Sequence, residues 1–250
     1  MRFRIGVVIA SLSVLLATGC ESSFSVWGVT RKTGSGRVIT ETRNVSNFNA
    51  LLFTGAGDVT IIQGQAESLT VEAEDNVMPL IKTEVRDGTL CIGFERENWQ
   101  TQIVPTRPIR FNLTVKDLNS IEVPGAVNIQ AATLKTERLT VKISGAGNIK
   151  IDRLEGSEVT TTFSGAGNLD IAGKVIRQDL TLTGFGNYGA GNLESQVAKV
   201  NITGAGNATL WVHDTLDMRI AGAGSVNYYG NPKITKNVAG VGKMTSLGNK

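Results

Sequence analysis

The chain has one histidine, His213, and two cysteines, Cys20 and Cys91, among its 250 residues. One imidazole leaves no room for a His-based metal cluster, and no triad built on such a base is expected. If Cys20 is modified, Cys91 has no partner, so no disulfide framework holds the chain together. Charge of one sign is also lacking: 25 basic residues face 22 acidic ones, a formal +3. Setting aside Arg2 and Arg4 of the leader leaves +1, and a nearly neutral surface argues against nucleic acid as a partner. There is no Gly-Lys-Ser/Thr phosphate loop. No helical spacing of apolar residues competes with a two-residue alternation. What the chain has in abundance is glycine, 29 residues, and the glycines are periodic.

One copy of the repeated stretch reads Leu139-Thr140-Val141-Lys142-Ile143-Ser144-Gly145-Ala146-Gly147-Asn148-Ile149-Lys150-Ile151. Similar punctuation begins at Gly55, Gly125, Gly145, Gly165, Gly184, Gly204, Gly222 and Gly240, with steps of 20, 20, 19, 20, 18 and 18 residues from Gly125 onward. A fixed period of this size means stacked repeats. The alternation predicts two short strands per repeat joined by a Gly-rich corner, with glycine supplying positive φ at the bend. The expected corner residues include Gly145, Gly147 and Asn148, then Gly165, Gly167 and Asn168, then Gly204, Gly206 and Asn207. Two places before the first Gly stand Phe53, Val123, Ile143, Phe163, Leu182, Ile202, Ile220 and Val238, and four places after it Val59, Ile129, Ile149, Leu169, Tyr188, Ala208, Val226 and Met244. Stacked at ~4.8 Å these columns make one continuous core. The expected fold is all-β: a parallel, right-handed β-helix with rungs of about twenty residues. Asn128, Asn148, Asn168, Asn187 and Asn207 should form a ladder of side-chain amides, broken at Asp58, Ser225 and Lys243.

A lipoprotein-like start followed by Gly-Ala-Gly-Asn rungs resembles the auto-transporter adhesin family with the head-GIN domain, over roughly residue 48 to the end. The resemblance implies a β-helix and transfers no catalytic residues.

Residues 1–19 read as a signal peptide, with Arg2 and Arg4 before an apolar run. Leu16-Ala17-Thr18-Gly19-Cys20 resembles a lipobox, with Ala17 where leucine is expected. Lipidation of Cys20 would anchor the chain in a membrane, and Glu21 favours the outer one by analogy with diderm lipoproteins. The alternative is cleavage near Gly19 and secretion. Residues 20–46 read as a tether largely without structure, containing Gly34-Ser35-Gly36. Residues 47–250 read as a single β-helix, with irregular capping coils over 47–122 and regular rungs over 123–250. Arg86-Asp87-Gly88 signals a hairpin, and a short helical turn is expected between Asp75 and Lys82. The end after Gly242 looks poorly capped and leaves room for homo-oligomers. Cys91, in an apolar strand, reads as a buried structural thiol.

Carbohydrate-active β-helices place acids and bases on one strand face. The nearest equivalent is the column Asp179, Lys199, Asp217, flanked by Arg219 and Lys142, which reads more simply as a charge ladder on a solvated face. No catalytic residues, metal ligands or cofactor are expected. Trp211 and Tyr229 stand seven places after the first Gly on successive rungs, where other rungs carry Asp152, Ala172 or Gly191. They form either a sugar platform or a surface covered by a loop or the C-terminal tail. Trp99 reads as a capping-region aromatic. The expected function is that of a non-catalytic, adhesin-like or structural envelope lipoprotein that binds a glycan or a cell-surface protein. The alternatives are a polysaccharide-active enzyme and a self-assembling scaffold.

Overall fold

The structure, a computed structural model, describes residues 30–95 and 101–250. The leader, Cys20 and Trp99 lie outside the described residues. The alternating sequence folds as a parallel β-helix, and both apolar columns stack in register. Val123, Ile143, Phe163, Leu182, Ile202, Ile220 and Val238 are successive Cα partners. So are Val59, Ile129, Ile149, Leu169, Tyr188, Ala208, Val226 and Met244. Ile143, Phe163, Leu169, Leu182 and Ile202 are all 0% exposed, so the middle of both columns lies in the core. Each buried Leu or Ile contributes about 1.5–3 kcal/mol relative to an exposed one.

Each coil has more sides than the two-strand expectation. Leu134 pairs with Leu154, Leu154 with Gly173 and Gly173 with Leu193, forming a narrow third side of its own. Leu134, Leu154 and Leu193 are buried there. A two-residue strand is too short to show an alternation, which is why the sequence pattern does not reveal it.

The corner glycines do not serve the purpose expected of them. Gly145, Gly147, Gly165, Gly167, Gly204 and Gly206 are absent from the positive-φ residues; at the corners only Gly57 has that geometry, at φ 149°. Their role is close approach. A Cβ on Gly145 would strike the carbonyl of Gly125, one on Gly165 the carbonyl of Gly145, and one on Gly204 the carbonyl of Gly184. Gly167 and Gly206 face the carbonyls of Gly147 and Gly186 in the same way, whereas the nearest obstacle to a Cβ at Gly147 is Val127 O at 3.2 Å. Glycine is needed here because consecutive corners stack backbone on backbone.

The supposed tether is folded from Thr30 on. Thr30–Thr33 pairs in parallel with Thr101–Val104, and Val38–Arg43 pairs antiparallel with Ser68–Glu74. Ser68–Glu74 in turn lies antiparallel to Arg110–Val115, so residues 30–46 help cover an edge that would otherwise be unpaired. The 1% exposed carboxylate of Glu74 fastens this cover. It accepts from the N–H groups of Gly36 at 2.6 Å, Thr106 at 2.8 Å and Arg107 at 3.3 Å. Gly34 is therefore no linker residue, since a side chain there would collide with the Glu74 carboxylate. Ile81–Arg86 and Thr89–Phe94 form the expected hairpin, with Asp87 at φ 48° and Gly88 at φ 74°. Met78–Leu80 is the expected turn, a short 3-10 helix. Cys91 is half-buried on the outward side of its strand, between the buried Leu90 and Ile92. At the far end Lys233–Val238 and Lys243–Ser246 are the last rungs, and Val238 and Val241 are 42% and 85% exposed there.

Candidate functional site

The corner asparagines form the ladder. Asn148 Nδ2 donates to Asn128 Oδ1 at 3.1 Å, Asn168 to Asn148 at 2.8 Å, Asn187 to Asn168 at 2.8 Å and Asn207 to Asn187 at 3.1 Å. Asp58 does not interrupt this column; its carboxylate accepts from Asn128 Nδ2 at 2.9 Å and ends it. Shallow troughs flank the ladder. One, of about 550 Å³, runs over Ala126, Ala146, Gly147 and Ala166, and the other, of about 430 Å³, is bordered by Thr60, Gln130, Lys150 and Asp170.

The second feature is a ledge produced by the shortened repeats. Ala190 pairs with Leu210, but the next pair is Glu194 with Trp211, so residues 191–193 have no counterpart in the following coil. Trp211 therefore stacks on Glu194, and the equivalence with Gly191 drawn from repeat counting is corrected by this shift. Tyr229 is the register partner of Trp211 on the next coil, and both are half-buried. The skipped residues leave the Gly191 carbonyl and the Asn192 side chain at the foot of the two rings. Lys250 reaches this point. Its Nζ lies 5.3 Å from the Trp211 ring centre and 5.1 Å from that of Tyr229. It donates to Gly191 O at 2.8 Å and also to Asn192 Oδ1. The final segment does lie at the aromatic pair, then, and brings the Lys250 ammonium to both rings. The indole Nε1 of Trp211 is buried and has no hydrogen-bond partner among the described residues.

Below the ledge, Glu194 Oε1 meets Lys174 Nζ at 3.0 Å and His213 Nε2 at 3.2 Å. The Lys174 ammonium, with His213 adding to it, holds the Glu194 carboxyl below its usual range, so the group is ionised at neutral pH. The His213 ring also lies 5.6 Å from Trp211, centre to centre. Behind the ledge runs a buried polar thread that sequence reasoning missed. Tyr188 Oη donates to Gln178 Oε1 at 3.1 Å, Gln178 Nε2 to Leu193 O at 3.1 Å and to Ser195 Oγ at 2.8 Å, and Ser195 Oγ to Trp211 O at 2.9 Å. Burial pushes the Tyr188 phenol up, so it stays a neutral donor. The thread bonds both sides of the step, Leu193 and Trp211. The one available signal was a glutamine in a column otherwise filled by Leu139, Val159, Ala198 and Leu216.

The charged column stacks as expected: Asp179 pairs with Lys199 and Lys199 with Asp217. The ion-pair partner of Asp179, however, is Arg177 on its own strand, at 2.9 Å. Among the described residues no three His, Cys, Asp or Glu side chains are grouped to hold a metal, and no helix is long and apolar enough to cross a membrane.

The model of the family described as "Putative auto-transporter adhesin, head GIN domain" matches residues 47–232. A crystal structure of a putative adhesin from Bacteroides fragilis NCTC 9343 is similar with a TM-score of 0.82 and 25% identity, over 86% of this chain and 100% of that one. A second putative adhesin, from Parabacteroides merdae ATCC 43184, has a TM-score of 0.68 at 21% identity, covering 87% of this chain and 99% of its own. A putative lipid binding protein from Parabacteroides distasonis ATCC 8503 has a TM-score of 0.73 at 23% identity, with coverage of 87% and 99%. The last two show the fold alone. Among curated proteins, none matches this chain.

Proposed function

This chain belongs to the putative auto-transporter adhesin family with the head GIN domain, and on that premise we propose that it is a non-catalytic, adhesin-like protein of the cell envelope that binds glycan on the Trp211–Tyr229 ledge. The observation that carries the reading is the pairing of two half-buried rings in register on consecutive coils. Pyranose C–H groups lie well on aromatic faces, and an apolar patch on a polar surface marks a binding site. Thr209 and Asn227, two residues before each ring and in register with one another, offer a hydroxyl and an amide to sugar hydroxyls on the same strand face. The test is a glycan array probed with the purified protein, followed by titration of the best ligand. Trp211→Ala should weaken binding by about 1–2 kcal/mol, roughly 5- to 30-fold, in a protein that still folds. Undiminished binding in Trp211→Ala would remove the ledge as the site.

The anchor belongs to the same proposal. Cys20 after Ala17-Thr18-Gly19 is read as the lipidated residue that holds the chain to the outer membrane. Cys20→Ala should release the protein from the membrane fraction or stall its processing. A variant that fractionates and matures like the parent would refute the anchor and leave the secreted form.

A further inference from the structure

We infer that the ledge is an ammonium-binding site, that in the free protein the chain's own Lys250 fills it, and that its external ligand is a glycan carrying a protonated amino sugar. The inference rests on the glycan-binding reading of Trp211 and Tyr229 and adds the charge of the ligand and a built-in competitor.

Four groups converge on one point. The Lys250 ammonium is within the roughly 6 Å reach of a cation–π contact from both rings, at 5.3 and 5.1 Å. Two oxygens, Gly191 O and Asn192 Oδ1, accept from the same nitrogen. An ammonium has three donors and no acceptor, so a point where two oxygens and two ring faces converge suits it. The indole N–H of Trp211 is buried and so presents no donor at this point.

The architecture explains why the site exists at this step and on no longer coil. Because residues 191–193 have no partner in the next coil, the Gly191 carbonyl and the Asn192 side chain are left at the rings above, while Leu193 O turns inward to Gln178. Gly191 keeps the floor low: a Cβ there would stand 3.0 Å from Thr209 Cγ2 and 3.4 Å from Tyr229 Cε2. Lys250 arrives because residues 243–246 form the rung over Ser225–Tyr228, and Gly230 N–H bonds Gly248 O at 2.9 Å two residues earlier. The occupant hangs on a flexible four-carbon arm whose residue is otherwise exposed, so the site can be vacated without disturbing any rung. Thr209 and Asn227 lie two residues away along the strands, about 6.6 Å, one ring's breadth from the cage. They favour a sugar bearing an amine over a bare lysine side chain, which would use the cage alone.

The experiment follows the Trp211 indole N–H resonance in the purified full chain, assigned by its loss in Trp211→Phe. The probes are glucosamine, N-acetylglucosamine and acetyl-lysine amide, added to the parent and to Lys250→Gln. If Lys250 fills the cage about nine-tenths of the time, its removal tightens glucosamine binding about tenfold. N-acetylglucosamine, which lacks the charge, should bind far more weakly than glucosamine to Lys250→Gln, and Tyr229→Ala in that background should abolish the difference. Equal glucosamine affinity in the parent and Lys250→Gln overturns the role of Lys250. N-acetylglucosamine binding as well as glucosamine overturns the ammonium site while the neutral-glycan reading stands. Acetyl-lysine amide binding more tightly than glucosamine points to a protein partner and overturns the choice of ligand. No response to either sugar in any variant overturns the glycan-binding reading, and this inference with it.

Discussion

Replacing Gly165 with alanine tests why the corners are glycine. The new methyl would strike the carbonyl oxygens of Gly145 and Ser144 and stand 2.6 Å from the Ser144 carbonyl carbon. Carbon atoms in good contact sit roughly 3.5–4.0 Å apart, so the two coils must part locally by about 1 Å. The obstacle is the backbone of the preceding coil and cannot swing away as a side chain can. The bonds that would stretch are Ala166 N–H to Gly145 O, 2.9 Å, and Gly165 N–H to Ile143 O, 3.1 Å. Overpacking costs about 1–3 kcal/mol and a weakened hydrogen bond about 0.5–1.5, so a loss of about 2–4 kcal/mol is expected. For a chain of this size that lowers the melting temperature by roughly 5–15 °C. Differential scanning calorimetry on three variants reads it. Gly165→Ala should fall by that amount. Gly147→Ala should fall by less, because its nearest obstacle is Val127 O at 3.2 Å. Ser164→Ala, at an exposed neighbour, should stay within about 0.5 kcal/mol. A Gly165→Ala protein melting within a degree of the parent, or a Gly147→Ala protein as damaged as Gly165→Ala, would show that stacking clearance does not dictate the corner.

Glu74 gives a pH prediction. Burial alone would raise its carboxyl, but the Thr106 hydroxyl and the N–H groups of Thr106, Gly36 and Arg107 outweigh burial and hold it below the ordinary value of 4.5. A lowered folded-state value means stability that is present above that ordinary value and lost as pH falls through the folded one. Glu74→Gln should therefore be less stable than the parent at pH 7, with the gap closing below pH 4.5 in urea melts; a constant gap would mean the charge is not what matters. Asn148→Ala removes one ladder bond on each side, to Asn128 and from Asn168. A cost of about 1–2 kcal/mol is expected as a lower urea midpoint at unchanged slope, and an unmoved midpoint would mean the ladder adds nothing net.

Much of this fold was legible because it repeats. A column such as Val123 to Val238 is visible when its members recur at fixed steps and alternate with polar residues. The amide ladder was legible for the same reason. Features that occur once, or that depend on contact between distant residues, were hidden. Val38–Arg43 has a strand-like pattern, but its reason to be a strand is the edge of Ser68–Glu74, some thirty residues on. The third side of each coil contributes too few residues to set a period. The corner glycines were correctly singled out for the wrong cause, since sequence shows that a Cβ is absent but does not show the carbonyl it would meet. At the ledge, the Trp211–Tyr229 pairing followed from counting, whereas Asn192, Lys250 and the thread from Tyr188 to Ser195 did not. Their relation to the rings depends on a register shift that appears in the sequence only as a step of 18 where 20 had been the rule.

The amides of the corner ladder all point one way. From Asn207 back to Asn128 each nitrogen donates toward the preceding coil, so each carbonyl is turned toward the following one. Aligned amide dipoles add, as they do along a helix, and the column has a positive end at Asn128 and a negative end at Asn207. A carboxylate at the positive end is favourable for the reason an acidic residue is at a helix N-terminus, and Asp58 occupies that place. It has no hydrogen to donate when ionised, so it can only close the column and never extend it the other way. At the opposite end the register partner of Asn207 is Ser225, whose hydroxyl can serve as a donor. An asparagine at position 58 would leave both orientations of the column nearly equal in energy; the acid breaks that symmetry and sets the direction in which every amide above it is turned.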